Sequence, residues 1–369
     1  MKKNQLLVAL GFMLFSTVHG QQNANHVPLD IKQSSQRQHI RIPNIEGYQT
    51  LKGDFHIHTV FSDGLVWPTV RVKECWAEGL DVMAITDHLE YQPHRKLMKQ
   101  DHNSSYDLAM QEAQKRNVLL IKASEITRSM PPGHLNAFFI EDANALDHKK
   151  PEKAFEAVQA QNGLMIWNHP GWKAQQKDTC LIYDIHRQLI KEGRLHGMEV
   201  MNYNEWYPVV LQWCIDHQLA VFANSDIHDV NGYIYDLERA HRPMTLLFAK
   251  ERSFTGVREA IESARTIAWF DQQLAGPEAL LTQLFHASVA LTPAFYSDEE
   301  KHYVELKNNS DLQFSFVNET PENGAPDKFL LKPGKSIVVA IQKDATAFKV
   351  KLDNCHIGMF KNLHLDLMQ

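Results

Sequence analysis

The stretch Asp54-Phe55-His56-Ile57-His58-Thr59-Val60-Phe61-Ser62-Asp63-Gly64 decides how the rest of this 369-residue chain is read. Side chains of an extended strand alternate between its two faces, so His56 and His58 project to the same side and both imidazoles can reach one metal ion. Asp63 follows within a turn's reach. Such a pair also arises readily without function in a chain holding 20 histidines, as a half-buried strand with two polar neighbours. What the other strand ends carry settles the choice.

Outward from that stretch, apolar runs of strand length (53–58, 81–86, 118–123, 135–140, 164–167, 198–201 and 220–223) alternate with amphipathic helix-length runs (69–78, 105–116, 152–161, 185–192 and 208–217). Pro68 suits the first turn of a helix, Gly79 its end, and Pro151 opens another. A strand over 245–250 and a helix over 255–264 continue the pattern. Repeated β-then-α units predict a parallel sheet with crossover helices, either closed as a barrel or doubly wound. Beyond residue 288, short apolar runs at 304–306, 312–317, 336–341 and 348–352 are separated by turns such as Asn308-Asn309-Ser310-Asp311 and Pro333-Gly334. They predict a small all-β domain, taken as 286–369, behind a main domain of 47–285.

The first 20 residues read as an export signal: Lys2 and Lys3, an apolar run over 6–15, and Val18-His19-Gly20 before Gln21. That run is too short to span a bilayer. Its removal leaves 36 basic against 44 acidic residues, a formal charge of −8, which argues against nucleic acid as a stable partner. The mature protein is expected to be periplasmic and free of the membrane, with residues 21–46 a mobile polar lead-in. Four cysteines, Cys75, Cys180, Cys214 and Cys355, form no CxxC pair, and an oxidising compartment permits one disulfide without naming its partners.

The strand ends decide the chemistry. The second strand runs into Asp87-His88, the third into Glu125, the fourth starts after Gly133-His134, the fifth runs into Asn168-His169-Pro170, and the run at 220–223 leads to Ser225-Asp226-Ile227-His228. Active sites of βα barrels are built where strands end at their carboxyl side. One such residue could cap a loop; nine ligand types at consistent places point to a metal cluster.

On these residues, with Thr86-Asp87-His88 and Ser124-Glu125 among them, the chain resembles the PHP superfamily (polymerase and histidinol phosphatase) over about residues 50–275. The resemblance implies an α/β fold, a distorted (βα)7 barrel, holding two to three divalent ions of zinc, manganese or iron. Carried over by residue, it places His56, His58, Glu125 and Asp226 on one ion, Glu125, His134 and His169 on a second, and Asp63, His88 and His228 on a third. Water held by such ions becomes a nucleophile near neutral pH, and the ions offset the charge of a phosphoryl group. A small phosphate ester is the expected substrate, diesters ahead of monoesters.

Asp87 is placed to orient His88, or else to brace its own loop. Arg128, three residues beyond Glu125, is placed to clamp a phosphate, or to lie in solvent. Trp67, Tyr91, Trp172, Tyr203, Trp206 and Tyr233 lie near strand ends, and Asn202 and Asn204 could meet substrate. Amidohydrolases also carry HxH on a first barrel strand but commonly bridge their metals with a carbamylated lysine. Here Lys122 falls on the opposite strand face from Glu125. Non-catalytic metal or carbohydrate binding is a third reading.

Overall fold

The computed structural model describes residue 29, residues 36–98 and residues 101–368. The export-signal stretch lies outside the described residues. Strand β1 (Gln49–Asp54) is followed by α1 (Pro68–Ala77), β2 (Val82–Ile85), α2 (Ser104–Arg116), β3 (Leu119–Ile126), β4 (Leu135–Phe138), α3 (Pro151–Ala160), β5 (Leu164–Trp167), α4 (Asp184–Lys191), β6 (Gly197–Asn202), the short β7 (Glu205–Trp206), α5 (Pro208–His217) and β8 (Ala220–Asn224). Prolines occupy the first turns of α1, α3 and α5, where a missing N–H costs nothing. Gly79 ends α1 at φ +85°, and a side chain there would meet the Gln38 carbonyl.

Strands β1-β2-β3-β4-β5-β6-β8 neighbour one another in that order. Closure falls between β8 and the extension of β1. Ile57 bridges Ile227, the Phe55 N–H donates to Asn224 Oδ1 (2.9 Å), and the Ser225 N–H donates to Asp54 Oδ1 (3.1 Å). The expected all-parallel order is corrected at one barrel strand: β4 runs antiparallel to both β3 and β5. The link from Ile126 to Leu135 is too short for the crossover that a parallel partner requires. Inside the barrel, below the ligand-bearing end, Phe55 meets Phe222 edge to face and Phe138 lies tilted against both.

After α6 (Asn231–Ile234), β9 (Met244–Ala249) pairs antiparallel with β1 from Gln49 to Gly53. Then come α7 (Phe254–Glu262), β10 (Thr266–Phe270), β11 (Gln273–Ala275) and α8 (Glu278–Ser288), the last three absent from the sequence reading. The final domain comprises β12 (Val289–Leu291), β13 (Tyr296–Ser297), β14 (Lys301–Asn308), β15 (Phe314–Asn318), β16 (Lys328–Leu331), β17 (Ser336–Gln342), β18 (Lys349–Gly358) and β19 (Lys361–Asp366). It is all-β but not a separate body. Strand β18 pairs parallel with β11, so one sheet runs from the barrel into the C-terminal domain.

The lead-in expected to be mobile up to residue 46 is pinned from Arg37 onward. Arg37 pairs with Asp81 (3.0 Å), the Gln38 N–H donates to Ala77 O (2.7 Å), and Arg41 pairs with Asp311 (2.7 Å). All four cysteines are free thiols. Among the described residues no helix is long and apolar enough to cross a membrane.

One core cluster holds Leu246 and Trp269 from the barrel side, Leu284 and Phe285 from α8, and Phe314, Phe316 and Phe348 from the β domain. The Phe285 ring meets Phe314 edge-on at 5.2 Å. Because both parts share this core, Phe285→Ala is expected to cost about 3–5 kcal/mol and to lower a single transition. Urea melts followed by tryptophan fluorescence and far-UV circular dichroism check this; two separated transitions would show independent domains.

Candidate metal centre

Past Asp54 the chain stays extended, so Phe55 and Ile57 enter the core while His56 and His58 turn into the barrel mouth. Their Nε2 atoms lie 3.0 Å apart, and each is 3.1 Å from Asp226 Oδ1. Glu125 closes this group, with Oε1 3.6 Å from His56 and Oε2 3.8 Å from His58. On its other side Glu125 Oε1 is 2.9 Å from His134 Nδ1 and 3.9 Å from His169 Nε2. Asp63 Oδ1 is 3.3 Å from His228 Nε2, 3.4 Å from His88 Nε2 and 3.8 Å from His58 Nδ1. All nine side chains named from the sequence therefore meet in one place, in overlapping groups that could each hold an ion.

The donor set fits divalent metals. Tetrahedral coordination at 2.0–2.1 Å puts donors about 3.3–3.4 Å apart, within the spread seen here. Asp63 Oδ1 is buried with no hydrogen-bond partner, yet it is ringed by imidazole nitrogens. A cation among these atoms would relieve that deficit.

Two ligand positions have left-handed backbone, His169 at φ +29° and Asp226 at φ +50°. Such conformations cost about 1–3 kcal/mol and persist where the surroundings impose them. At His169 the imposing group is Glu199, which the sequence reading missed. This fully buried carboxylate accepts from the His169 N–H (2.7 Å), from Asn202 and Asn224 amides (2.8 Å each), and pairs with His56 Nδ1 (2.8 Å). The last contact leaves His56 Nε2 for the metal side. A lone acid within an otherwise apolar strand, Met198-Glu199-Val200-Met201, was the available signal. Asn168 was also missed; its amide donates to Glu125 Oε1 (2.8 Å).

Asp87 and Arg128 take other roles than those assigned from sequence. Asp87 accepts from the Thr59 N–H and hydroxyl (2.7 Å each) and from Ser62 (2.8 Å), bracing the loop that delivers Asp63. The His88 Nδ1 instead faces Thr127 and Glu125. Arg128 is committed to Glu90 (2.7 Å) and to the His148 carbonyl, because the loop after β2 brings a carboxylate to it first. A phosphate clamp at Arg128 is thereby corrected. Of the aromatics, Trp172 and Tyr203 line the cavity above the ligands, with Asn202 and Asn204 beside them. Trp67 packs on Phe61, Trp206 lies against His356, and Tyr91 approaches His88 from outside the cavity lining.

The acids and imidazoles of the site shift one another's titration. Burial disfavours ionised Glu125, but His88, His134 and His56 hold it well below the usual carboxylate range. Burial likewise opposes a charged His56, and Asp226, Glu199 and Glu125 overcome this and push it up to about 10. His88, raised against its own burial by Glu125 and Asp63, reaches about 11.

The C-terminal residues 289–368 match a family described as an Ig-like domain. Over the whole chain the protein is similar to a solved two-domain protein from Bacteroides vulgatus containing a predicted PHP-like metal-dependent phosphoesterase. The two are 40% identical, the match covers 91% of this chain and 99% of that one, and the TM-score is 0.88. The chain belongs to this PHP-like, two-domain family. Looser likenesses, each at TM-score 0.38, are a protein from Bifidobacterium adolescentis assigned as a metal-dependent phosphoesterase (19% identity, 48% of this chain, 87% of that one) and a Chromobacterium violaceum amidohydrolase with bound sulfate and no metal (14%, 49% and 89%). No curated protein matches the chain.

Two outcomes follow for metal binding. Imidazoles ligate in the neutral form, so metal loading competes with the protons that neighbouring carboxylates favour on His56 and His88, and apparent affinity rises with pH, by up to about tenfold per proton per pH unit. Metal titrations of the apoprotein at pH 6, 7 and 8 check this, and an affinity independent of pH would contradict it. Glu199→Gln, which removes the negative charge and leaves one acceptor oxygen where two serve His56 and His169, is expected to weaken metal binding about 10–100-fold, measured by competition with a chelator.

Proposed function

We propose that this protein is an exported, metal-dependent phosphodiesterase using three divalent ions of zinc, manganese or iron. The observation that carries the diester preference is the composition of the cavity over the metal centre, about 510 Å³ in volume. Besides six of the ligands it is lined by Trp172, Asn202, Tyr203, Asn204, Glu205, Ile227, Asp229 and Ile234, with no lysine or arginine among the described residues. Arg128, the nearest sequence candidate for a clamp, is bound to Glu90. Among the described residues, negative charge on the substrate therefore falls mainly to the ions, which suits the single charge of a diester better than the double charge of a monoester.

Bound divalent ions supply a water of near-neutral pKa and offset charge on the phosphoryl oxygens. The chain's own residues do the placing. Glu125 spans two ligand groups, Glu199 holds His56 and His169 in register, and the Asp87-braced loop presents Asp63. Trp172 and Tyr203 offer half-exposed rings to the second arm of a diester. Glu205 and Asp229 make that wall acidic, which favours an uncharged or cationic arm over an anionic one.

The amidohydrolase reading is weaker because its bridging lysine has no counterpart. Lys122 lies over the Tyr106 ring at 5.3 Å, and Glu125 takes the bridging place. Export is supported by Lys2, Lys3 and the apolar run that follows them.

With metal-loaded mature protein, bis(p-nitrophenyl) phosphate is expected to be hydrolysed with kcat/KM at least about tenfold above that for p-nitrophenyl phosphate. Glu125→Ala is expected to abolish both, since its loss opens two ligand groups. A monoester preference would overturn the diester assignment, and turnover of an amide or lactone alone would move the protein to the other class.

A further inference from the structure

Arg71, on α1, is fully buried and touches neither the cavity nor any ligand side chain. A guanidinium has five N–H donors, and here all five are used. Nε donates to the His58 carbonyl (2.9 Å), Nη1 to Asp229 O (2.8 Å) and Glu74 Oε2 (2.9 Å), and Nη2 to Ile227 O (3.2 Å) and His228 O (2.9 Å). Glu74 extends the grip by accepting from the Asn231 N–H (3.2 Å). One side chain thus ties the loop after β1 to the loop after β8, the two segments that carry the HxH pair and Asp226-Ile227-His228.

The consequence lies in the rings above it. His58 and His228 stack at 4.1 Å with planes 17° apart. His58 Nε2 turns to Asp226 in the first ligand group, while His228 Nε2 turns to Asp63 in the third. Arg71 holds the backbone of both rings and so sets the spacing between those two groups. The second group, Glu125 with His134 and His169, gives no carbonyl to Arg71.

We propose that Arg71 is a positioning residue for the metal centre, and that weakening its grip releases the ion of the third group, Asp63, His88 and His228, before the others. The third group is the one open to disturbance. Its His228 side chain is 38% exposed and Asp63 24%, whereas His56, His58 and Glu125 are fully enclosed. The inference rests on the proposed three-ion centre.

The test is manganese binding to full-length mature protein, read by elemental analysis and by the exchange-coupled EPR spectrum. Wild type is expected to take three equivalents. Arg71→Lys keeps the charge beside Glu74 but has only three donors and no fork to reach four carbonyls. It is expected to keep two equivalents, to bind the third at least about tenfold more weakly, and to lose part of the coupled signal. The double variant Arg71→Gln/Glu74→Gln removes both charges and leaves no unpaired buried ion; it is expected to behave the same way. If a folded variant keeps three equivalents at wild-type affinity, or loses all of them in parallel, the assignment to Arg71 is overturned. It is overturned too if neither variant folds, since Arg71 would then serve the fold at large. Fewer than three equivalents in wild type would instead overturn the three-ion centre beneath it.

Discussion

A buried ion network at the barrel seam is the constraint on which the rest of the structure depends. Arg242, with no exposure to solvent, donates to Asp54 (3.0 Å) and to both oxygens of Glu78 (2.8 Å each). Asp54 in turn accepts from the Ser225 N–H and hydroxyl and from the His56 N–H. Breaking such a buried pair by removing one partner costs about 3–5 kcal/mol, because a charge is left without water or counterion. The seam therefore stays closed, and closure is what lays the β1 extension beside the residues after β8. Without that apposition His56 and His58 have no Asp226 to face.

Above the seam, a second tier of polar groups converts proximity into geometry. Glu199 fixes the His56 tautomer and the left-handed backbone of His169, Asp87 braces the Thr59–Asp63 turn through Thr59 and Ser62, and Asn168 holds Glu125. These groups are almost wholly enclosed, so each hydrogen bond acts at low dielectric and an alternative arrangement would strand a polar atom. The result is an array of donors held in place, in which the carboxylates Asp226, Glu199, Glu125 and Asp63 favour the charged form of His56 and His88. The cavity wall adds acids, amides, aromatic rings and the isoleucines Ile227 and Ile234.

The Ig-like domain joins this frame through backbone pairing as well as side-chain contact. Strand β11 receives β18 at Leu274↔Cys355 and Ala275↔His356, and α8 packs Leu284 and Phe285 into a core shared with Phe314 and Phe316. This covers a strand edge of the barrel sheet that would otherwise present unpaired N–H and C=O groups.

The local features of this protein were legible in the chain itself. The i, i+2 alternation set His56 and His58 on one face, the amphipathic run over 208–217 located α5 to the residue, and ligand types at successive strand ends marked the metal centre. These signals are short-range consequences of strand and helix geometry, which any reader of the sequence can apply. The reversed β4, the shared sheet at β11, the diversion of Asp87 and Arg128, and the roles of Glu199, Arg71 and Arg242 were decided by tertiary structure. Their partners lie far off in sequence, 143 residues between His56 and Glu199 and 188 between Asp54 and Arg242. A buried Arg or Glu must find whatever counter-group the closed barrel brings to it, and no local period encodes that meeting.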